Sequence, residues 1–173
     1  IDLYQIHRFD PTVPMEETLG TLSSLVDQGK VRYIGASSMY AWQFAQYLAL
    51  ADTHGWHRFA SMQNYYNLAY REEEREMLVL CEREGIGVIP WSPLARGYLA
   101  RDSFQASQET LRGKTDEFAE QLYSEQLDAP VIERNAALAS ELGVKPAQTA
   151  LAWLLSRSSV TAPIIGASKP GHL

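Results

Sequence analysis

Short apolar runs alternate with amphipathic stretches along most of the chain, and this alternation constrains its fold more than any other feature. The apolar runs occupy residues 1–7, 31–36, 59–65, 87–91 and 162–166. Between them, apolar residues recur at helical spacing in residues 19–26, 41–54, 71–84, 131–142 and 146–156. Repeated strand–helix–strand units predict an α/β fold with a parallel sheet covered by helices, because the strands are short and mostly apolar.

A long polar stretch at residues 96–128 interrupts this alternation. It is rich in Ser, Thr, Gln, Glu and Arg and shows no clear core face. Irregular segments of this length inside a compact domain are usually functional. We therefore expect a long functional loop between the fourth strand and the next helix.

Composition excludes several classes of protein. The 173 residues carry a formal net charge of −6, which argues against a nucleic-acid partner, because phosphate binding needs a basic face. No apolar run approaches the roughly 20 residues of a membrane helix, so no membrane partner is expected. The single cysteine rules out a disulfide framework and suits a reducing compartment, which favours the cytoplasm. His54, His57 and His172 lack metal-ligand spacing, and no metal is expected.

A doubly wound open sheet and a (β/α)8 barrel both satisfy the alternation. Open sheets of this kind usually bind nucleotides through a Gly-rich first turn, and no G-x-G-x-x-G or G-x-x-x-x-G-K-[ST] follows any predicted strand. A complete barrel takes about 250 residues, with about 200 near the lower limit. A barrel therefore requires a partial chain, and we expect one because the sequence starts within a strand and stops directly after another.

Polar or aromatic residues follow every predicted strand. The strand ends are His7-Arg8, Ser37-Ser38, Gln63-Asn64, Trp91-Ser92 and Gly166-Ala167-Ser168. In a (β/α)8 barrel the carboxyl ends of the strands carry the chemistry at a common mouth. An imidazole, hydroxyls, an amide and an indole at that mouth suit the binding of a planar polar ring and action on a carbonyl.

Each of these residues also has a purely structural interpretation. His7 can be a half-buried, hydrogen-bonded histidine, and Ser37 and Ser38 can cap the next helix. Gln63 and Asn64 can be turn formers, and Trp91 can serve packing alone. The repeated placement at strand ends is what favours a shared site.

Five segments carry a resemblance to a known family. They are residues 2–8 (DLYQIHR), 35–38 (GASS), 62–65 (MQNY), 91–97 (WSPLARG) and 163–168 (PIIGAS). In this order they resemble the aldo-keto reductase family over essentially the whole chain. The resemblance implies one partial domain over residues 1–173, comprising about strands 4 to 8 of a (β/α)8 TIM barrel. It also implies binding of NADPH and hydride transfer to a small-molecule aldehyde or ketone.

The resemblance further implies roles for individual residues. His7 matches the catalytic histidine that positions the carbonyl, and Trp91 matches the aromatic side chain that stacks on the nicotinamide. Ser37, Ser38 and Gln63 match the contacts to the carboxamide, which needs both donors and acceptors to fix the ring face. The pyrophosphate loop is matched by Ser92, Pro93, Leu94, Arg96 and Gly97. The region near the adenosine phosphate is matched by Gly166, Ser168, His172 and, in the polar stretch, Arg112.

The family's catalytic Asp, Tyr and Lys precede the His strand and have no match in this chain. We therefore expect the chain alone to lack reductase activity. An NADPH-binding sensor subunit, similar to potassium channel β subunits, is one alternative, and an unrelated sugar-phosphate isomerase barrel is another. The identity of the substrate, and whether the protein forms a homo-oligomer, stay open at this point.

Overall fold

The computed structural model describes residues 1–110, 113–167 and 169–172, which alternate between strands and helices. The strands are β1 (Leu3–Gln5), β2 (Tyr33–Ser37), β3 (Phe59–Gln63) and β4 (Gly87–Val88). The helices are α1 (Met15–Asp27), α2 (Ala41–His54), α3 (Met77–Glu84), α4 (Phe104–Gln108), α5 (Glu117–Leu122), α6 (Glu125–Leu142) and α7 (Pro146–Leu155). Short 3-10 segments cover Glu72–Glu74, Ala95–Ala100 and Pro170–His172.

The strands form a parallel sheet in chain order, β1-β2-β3-β4. Leu3 pairs with Tyr33, and Met62 pairs with Val88. Each parallel connection passes through a helix, as the alternation in the sequence predicts. The predicted α/β class with a parallel sheet is therefore confirmed.

Local sequence signals explain where the first helices begin and end. Pro14 precedes α1, and Glu16 and Glu17 lie in its first turn, where acidic side chains interact favourably with the helix dipole. Helices α2 and α3 end at Gly55 and Gly85, whose φ angles of 65° and 67° are strained for residues with a side chain. These glycines let the chain leave each helix sharply and enter the next strand.

The chain forms two compact units. The first comprises residues 1–64 and 73–89. In it β2 contacts α1 and β4 contacts α3. Its buried core includes Ile34, Ala36, Phe44, Phe59, Met62 and Val88.

The second unit comprises residues 65–72 and 90–173. Helix α7 packs on α6 and on the 3-10 segment Ala95–Ala100. Its core is strongly aromatic and includes Tyr65, Tyr98, Leu99, Phe104, Tyr123 and Ile132.

The polar stretch at residues 96–128 is more ordered than predicted. Its described part contains α4, α5 and the start of α6. Tyr98, Phe104 and Tyr123 are buried, so the expectation of an irregular loop without a core face is wrong. Because its large apolar residues are irregularly spaced among polar ones, sequence periodicity did not reveal this core.

The fourth predicted strand is shorter than expected. Strand β4 ends at Val88, and Trp91 makes only an isolated parallel bridge to Tyr65. Pro90 explains the early end, because proline has no N–H to donate to a sheet ladder.

The prediction of a fifth strand at residues 162–166 is wrong, because these residues form no strand. The N–H of Ile164 donates to the carbonyl oxygen of Pro90 at 2.9 Å. Pro163 lacks a ladder donor, and the Ile164 and Ile165 side chains remain 43% and 47% exposed. The run is therefore extended chain attached to Pro90 rather than a sheet strand.

Two classes of feature are missing from the part of the chain that the structure describes. None of its helices combines the length and the apolar character needed to cross a membrane. Within the same residues, no three His, Cys, Asp or Glu side chains gather as a metal ion would require.

Candidate functional site

Polar residues in the first unit share one face of the sheet. Gln5 pairs with Gly35 and Gly35 pairs with Ser61, so their side chains point to the same side. Ser37 and Gln63 pair two residues further along and share this face. The opposite face carries Ile34, Ala36, Met62 and Val88, which are buried. The alternation therefore separates a polar face from the apolar face that packs against helices.

The carboxyl ends of β2 and β3 are joined through the main-chain carbonyl of Gln63. The hydroxyl of Ser37 donates to this oxygen at 2.8 Å, and the N–H of Ser38 donates at 3.1 Å. The Ser38 hydroxyl lies at 3.5 Å from the same oxygen. Helix α2 begins after Tyr40, so neither serine caps it. The Gln63 side-chain amide makes no hydrogen bond to the residues that the structure describes.

His7 lies just beyond β1 and is exposed, so it is not the half-buried histidine of the structural interpretation. Its carbonyl accepts a hydrogen bond from Arg8 Nη1 at 2.8 Å. The same Nη1 lies 3.3 Å from the hydroxyl of Ser37. Arg8 therefore links the His7 main chain to the end of β2, a role that its place after a predicted strand end had not indicated.

A hydrogen-bonded polar pair lies on the same face of the sheet, two residues before these strand ends. The hydroxyl of Ser61 donates to Gln5 Oε1 at 3.1 Å. A Cβ atom placed on Gly35 would clash with Ser61 Oγ and lie 2.8 Å from Gln5 Cγ. Glycine at position 35 therefore makes room for this pair.

Asn64 is fully buried, and turn formation was only its alternative structural interpretation. Its Nδ2 donates to Glu73 Oε2 at 2.9 Å. Among the described residues, its Oδ1 has no hydrogen-bond partner. The side chain of Asn64, the residue after Gln63, is therefore held in place through its amide nitrogen.

The second unit contains a stack of three aromatic rings, with Tyr65 between Trp91 and Tyr70. The ring centroids of Tyr65 and Trp91 lie 4.4 Å apart with planes 19° from parallel. Tyr70 stacks on Tyr65 at 4.1 Å and 22°. Trp91 is half-buried, and its indole plane is set by Tyr65. Packing and a binding role are therefore compatible for this residue.

The segment Ser92–Gly97 has a backbone that is rare for residues with side chains. Ser92, Ala95 and Arg96 have φ angles of 51°, 48° and 55°, and Gly97 has a φ of 111°. Residues other than glycine rarely adopt such angles, and those that do gather at functional sites. No sequence signal except Gly97 indicated this conformation. The segment also contains Pro93 and Leu94, which continue the loop between the first two of these residues.

Arg96 pairs with an acidic residue from the segment predicted to be a loop. Its Nε lies 2.7 Å from Asp116 Oδ2, and its Nη2 lies 2.8 Å from Asp116 Oδ1. The guanidinium carbon also lies 5.2 Å from the centre of the Phe118 ring. Asp116 accepts from the N–H of Ala119 at 3.2 Å and so caps α5. Sequence reasoning missed Asp116, since nothing local links it to Arg96.

A buried polar cluster lies beside the aromatic stack. Asn67 is fully buried and donates from Nδ2 to the Ser92 carbonyl at 3.0 Å and to the Tyr123 hydroxyl at 3.1 Å. Burial raises the pKa of Tyr65 to about 12 and also raises the pKa of Tyr123. Both phenols are therefore neutral at physiological pH.

The remaining predicted contacts lie near the end of the chain or in the polar stretch. Gly166 is exposed, and a Cβ there would meet no atom within 4 Å. Arg112 and Ser168 lie outside the described residues, and of His172 only the backbone is described. Of these four residues, Gly166 is therefore the one whose surroundings the structure describes.

Comparison with known proteins places the chain in one protein family. The family model described as "Aldo/keto reductase family" matches residues 1–173. A Schizosaccharomyces pombe protein named as an aryl-alcohol dehydrogenase is 49% identical, over 100% of this chain and 48% of that protein. The versiconal hemiacetal acetate reductase of Aspergillus parasiticus is 48% identical, over 96% of this chain and 48% of that protein. A Saccharomyces cerevisiae protein also named as an aryl-alcohol dehydrogenase is 43% identical over the same shares of both chains. The chain spans about half the length of these curated relatives.

Proposed function

Because the chain belongs to the aldo/keto reductase family, we propose that it supplies cofactor-binding residues to an NADPH-dependent reductase of aldehydes and ketones. The observation that carries the proposal is the left-handed segment Ser92–Gly97. Three residues with side chains adopt positive φ there, beside an aromatic ring whose plane is fixed. The N–H groups of Ala95 and Gly97 donate to carbonyl oxygens inside the segment. The donors that we propose for an anion such as a pyrophosphate are therefore the N–H groups of Ser92, Leu94 and Arg96.

Residues of each unit, taken by itself, fit a part of a nicotinamide dinucleotide. In the first unit, the Gln63 side-chain amide and the Ser38 hydroxyl offer the donors and acceptors that a carboxamide needs. Ser37 holds these groups in register through the Gln63 carbonyl. In the second unit, Trp91 offers an aromatic surface for a planar ring, and Ser92–Gly97 offers the anion-binding backbone. Gly166, Ser168, His172 and Arg112 are proposed for the adenosine phosphate.

When bound, NADPH supplies the hydride that goes to the carbonyl carbon of the substrate. The residues of this chain orient the reactants around that transfer. His7 is exposed just after β1, and one of its ring N–H groups can donate a hydrogen bond to the carbonyl oxygen. That bond holds the carbonyl in place and stabilises negative charge as it develops on oxygen. The proton itself comes from an acid for which this chain has no match.

The substrate class follows from the relatives. Two of them are named as aryl-alcohol dehydrogenases, and we propose aryl aldehydes among the substrates of the full-length protein. The one cysteine, which is buried, suits the reducing conditions of the cytoplasm, which we propose as the location.

NADPH titration of the full-length protein tests the cofactor. We expect binding by calorimetry, and we expect tryptophan fluorescence to be quenched because Trp91 stacks on the nicotinamide. In the matched variant Trp91→Phe, part of the quenching disappears while calorimetric binding remains. Absence of binding at millimolar NADPH would overturn the proposal, and equal binding of NADH would remove the preference for NADPH.

Oxidation of NADPH with 4-nitrobenzaldehyde tests the reaction. The full-length protein is expected to consume NADPH, and His7→Ala should lower kcat by about a hundredfold, within the range for a group that assists proton transfer and charge stabilisation. Residues 1–173 alone should show no turnover, because we propose that the proton donor lies outside these residues. Binding without turnover by the full-length protein would instead favour a sensor subunit.

A further inference from the structure

Asn67 uses its side chain completely, although nothing in its sequence context marks it as functional. It is fully buried. Its Oδ1 accepts from the N–H groups of Ala69 and Tyr70, both at 2.9 Å. Its Nδ2 donates to the Ser92 carbonyl at 3.0 Å and to the Tyr123 hydroxyl at 3.1 Å.

The acceptor half of this amide shapes a tight turn. Besides the two bonds to Oδ1, the N–H of Asn67 donates to the carbonyl of Tyr70 at 3.1 Å. The turn places the ring of Tyr70 on Tyr65, which in turn stacks on Trp91. The turn is thus connected to Trp91 through two stacked rings.

The donor half reaches a different part of the chain. Ser92 follows Trp91 directly and has a φ of 51°. Its carbonyl accepts both from Asn67 and from the N–H of Ala95 at 2.9 Å. Holding a residue with a side chain in the left-handed region costs about 1 to 3 kcal/mol, which contacts with its surroundings must offset. The Asn67 amide is a buried group that holds the first such residue of the loop.

We propose that Asn67 is a positioning residue that fixes the Trp91–Gly97 loop in its cofactor-binding conformation without touching the cofactor. The inference rests on the proposed function, since it assigns to Asn67 the preorganisation of the same site. Preorganisation acts through affinity, because a loop that must be ordered on binding weakens the complex by the cost of ordering it.

A purely structural role of Asn67 in the core is the competing explanation. Variants that remove different hydrogen bonds of its amide distinguish that role from positioning of the loop. Asn67→Ser keeps a hydroxyl that can accept from Ala69 and Tyr70 but cannot reach Ser92 as the amide does. Tyr123→Phe removes the other partner of Nδ2 and leaves the bond to Ser92 in place. Asn67→Ser removes the hydrogen bonds from Nδ2 to both Ser92 and Tyr123, whereas Tyr123→Phe removes only the second. The difference between the two variants therefore reports on the bond to Ser92, and only Asn67→Ser releases the loop.

The test measures NADPH affinity and thermal stability of the full-length protein and both variants. Asn67→Ser should raise the Kd for NADPH about five- to tenfold, as expected for the loss of the buried hydrogen bond to Ser92 that holds the loop. Tyr123→Phe should leave the Kd within about twofold, although both variants lower Tm. The KM for NADPH should follow the Kd, while kcat changes less. Equal Kd values for Asn67→Ser and the wild type would overturn the inference.

A second variant keeps the test decisive if Asn67→Ser does not fold. Asn67→Asp has the same shape, and its carboxyl can donate to the Ser92 carbonyl only when protonated. Its Kd for NADP⁺, relative to the wild type at the same pH, should therefore fall as pH decreases from about 8 to 5. A constant ratio would overturn the inference. Failure of the wild type to bind either nucleotide would overturn the proposed function, and the inference with it.

Discussion

Asp116 holds the guanidinium of Arg96 at two points, with Nε–Oδ2 and Nη2–Oδ1 distances of 2.7 and 2.8 Å. The side chains are 22% and 9% exposed, so the pair is largely removed from water. Two-point pairing of this kind fixes the planar guanidinium in orientation as well as in place. The loop residue Arg96 is therefore tied to the start of α5.

Removing the charge of Asp116 is expected to destabilise the protein. Asp116→Asn keeps an oxygen that can cap α5 but removes the charge that compensates Arg96. We expect the free energy of unfolding to fall by about 1 to 2 kcal/mol, because a mostly buried cation loses its partner. Urea unfolding measures this change.

An exposed pair in the same unit provides the control. Arg134 Nη1 and Glu141 Oε1 lie 3.2 Å apart, with side chains 70% and 61% exposed. Glu141→Gln should change the free energy of unfolding by less than about 0.5 kcal/mol, since water screens exposed pairs. Equal losses for the two variants would contradict the importance of the Arg96–Asp116 contact.

Gly35→Ala is expected to disturb the polar pair beneath the strand ends. The added Cβ would clash with Ser61 Oγ and crowd Gln5 Cγ, and overpacking of this kind costs about 1 to 3 kcal/mol. Adding Ser61→Ala should recover part of the loss, because it removes the nearest atom. At Gly166 a Cβ meets no neighbour, so Gly166→Ala should stay within about 0.5 kcal/mol. If Gly35→Ala lowered the free energy of unfolding no more than Gly166→Ala, the strands would accommodate the added Cβ at no cost, and the prediction would be wrong.

Cys81 is expected to be inert in the folded protein. Its side chain is fully buried, and burial raises the pKa of its thiol to about 12. The thiolate is the reactive form, so Ellman's reagent should react at least about a thousandfold more slowly than with an exposed thiol at pH 8. Unfolding in guanidinium chloride should restore the reaction, and Cys81→Ser identifies the contribution of this thiol. Rapid labelling of the native protein would contradict this prediction.

Tyr65 is expected to make stability fall at alkaline pH. Burial raises its pKa to about 12 in the folded state, above the value of about 10 for an unfolded chain. Its contribution is therefore complete below about pH 10 and is lost as pH rises toward 12, because the unfolded state ionises first. Urea unfolding between pH 8 and 11 measures the slope. Tyr65→Phe should make that slope shallower, and identical slopes would contradict the assignment.

The first unit shows how far sequence patterns reach. The alternation of apolar runs and helices predicts the parallel order of β1, β2 and β3, since parallel strands require such crossovers. It also predicts that the polar residues at the carboxyl ends of β2 and β3 lie together, and Ser37, Ser38 and Gln63 do so. Periodicity did not show that these residues meet at the Gln63 carbonyl, because backbone hydrogen bonds leave no residue signature.

The second unit shows where sequence patterns stop. The run 162–166 is apolar enough for a strand, but an extended segment becomes a strand only when neighbouring chain supplies a continuous ladder. The described part of residues 96–128 looked irregular because its aromatic residues are few and widely separated. Their burial became visible only once the fold had collected them into one core.

The amino-acid sequence by itself determined the α/β class, the strand-end chemistry and the resemblance to a reductase family, because these depend on local periodicity and short motifs. Tertiary structure alone decided that Arg96 pairs with Asp116, 20 residues away, and that Asn67 reaches Ser92, 25 residues away. Such partners are chosen by how the chain packs, and a buried polar group takes whichever partner the packing brings within hydrogen-bond distance. Those partners support the conformation of the Ser92–Gly97 loop, and among the loop's own residues only Gly97 favours it.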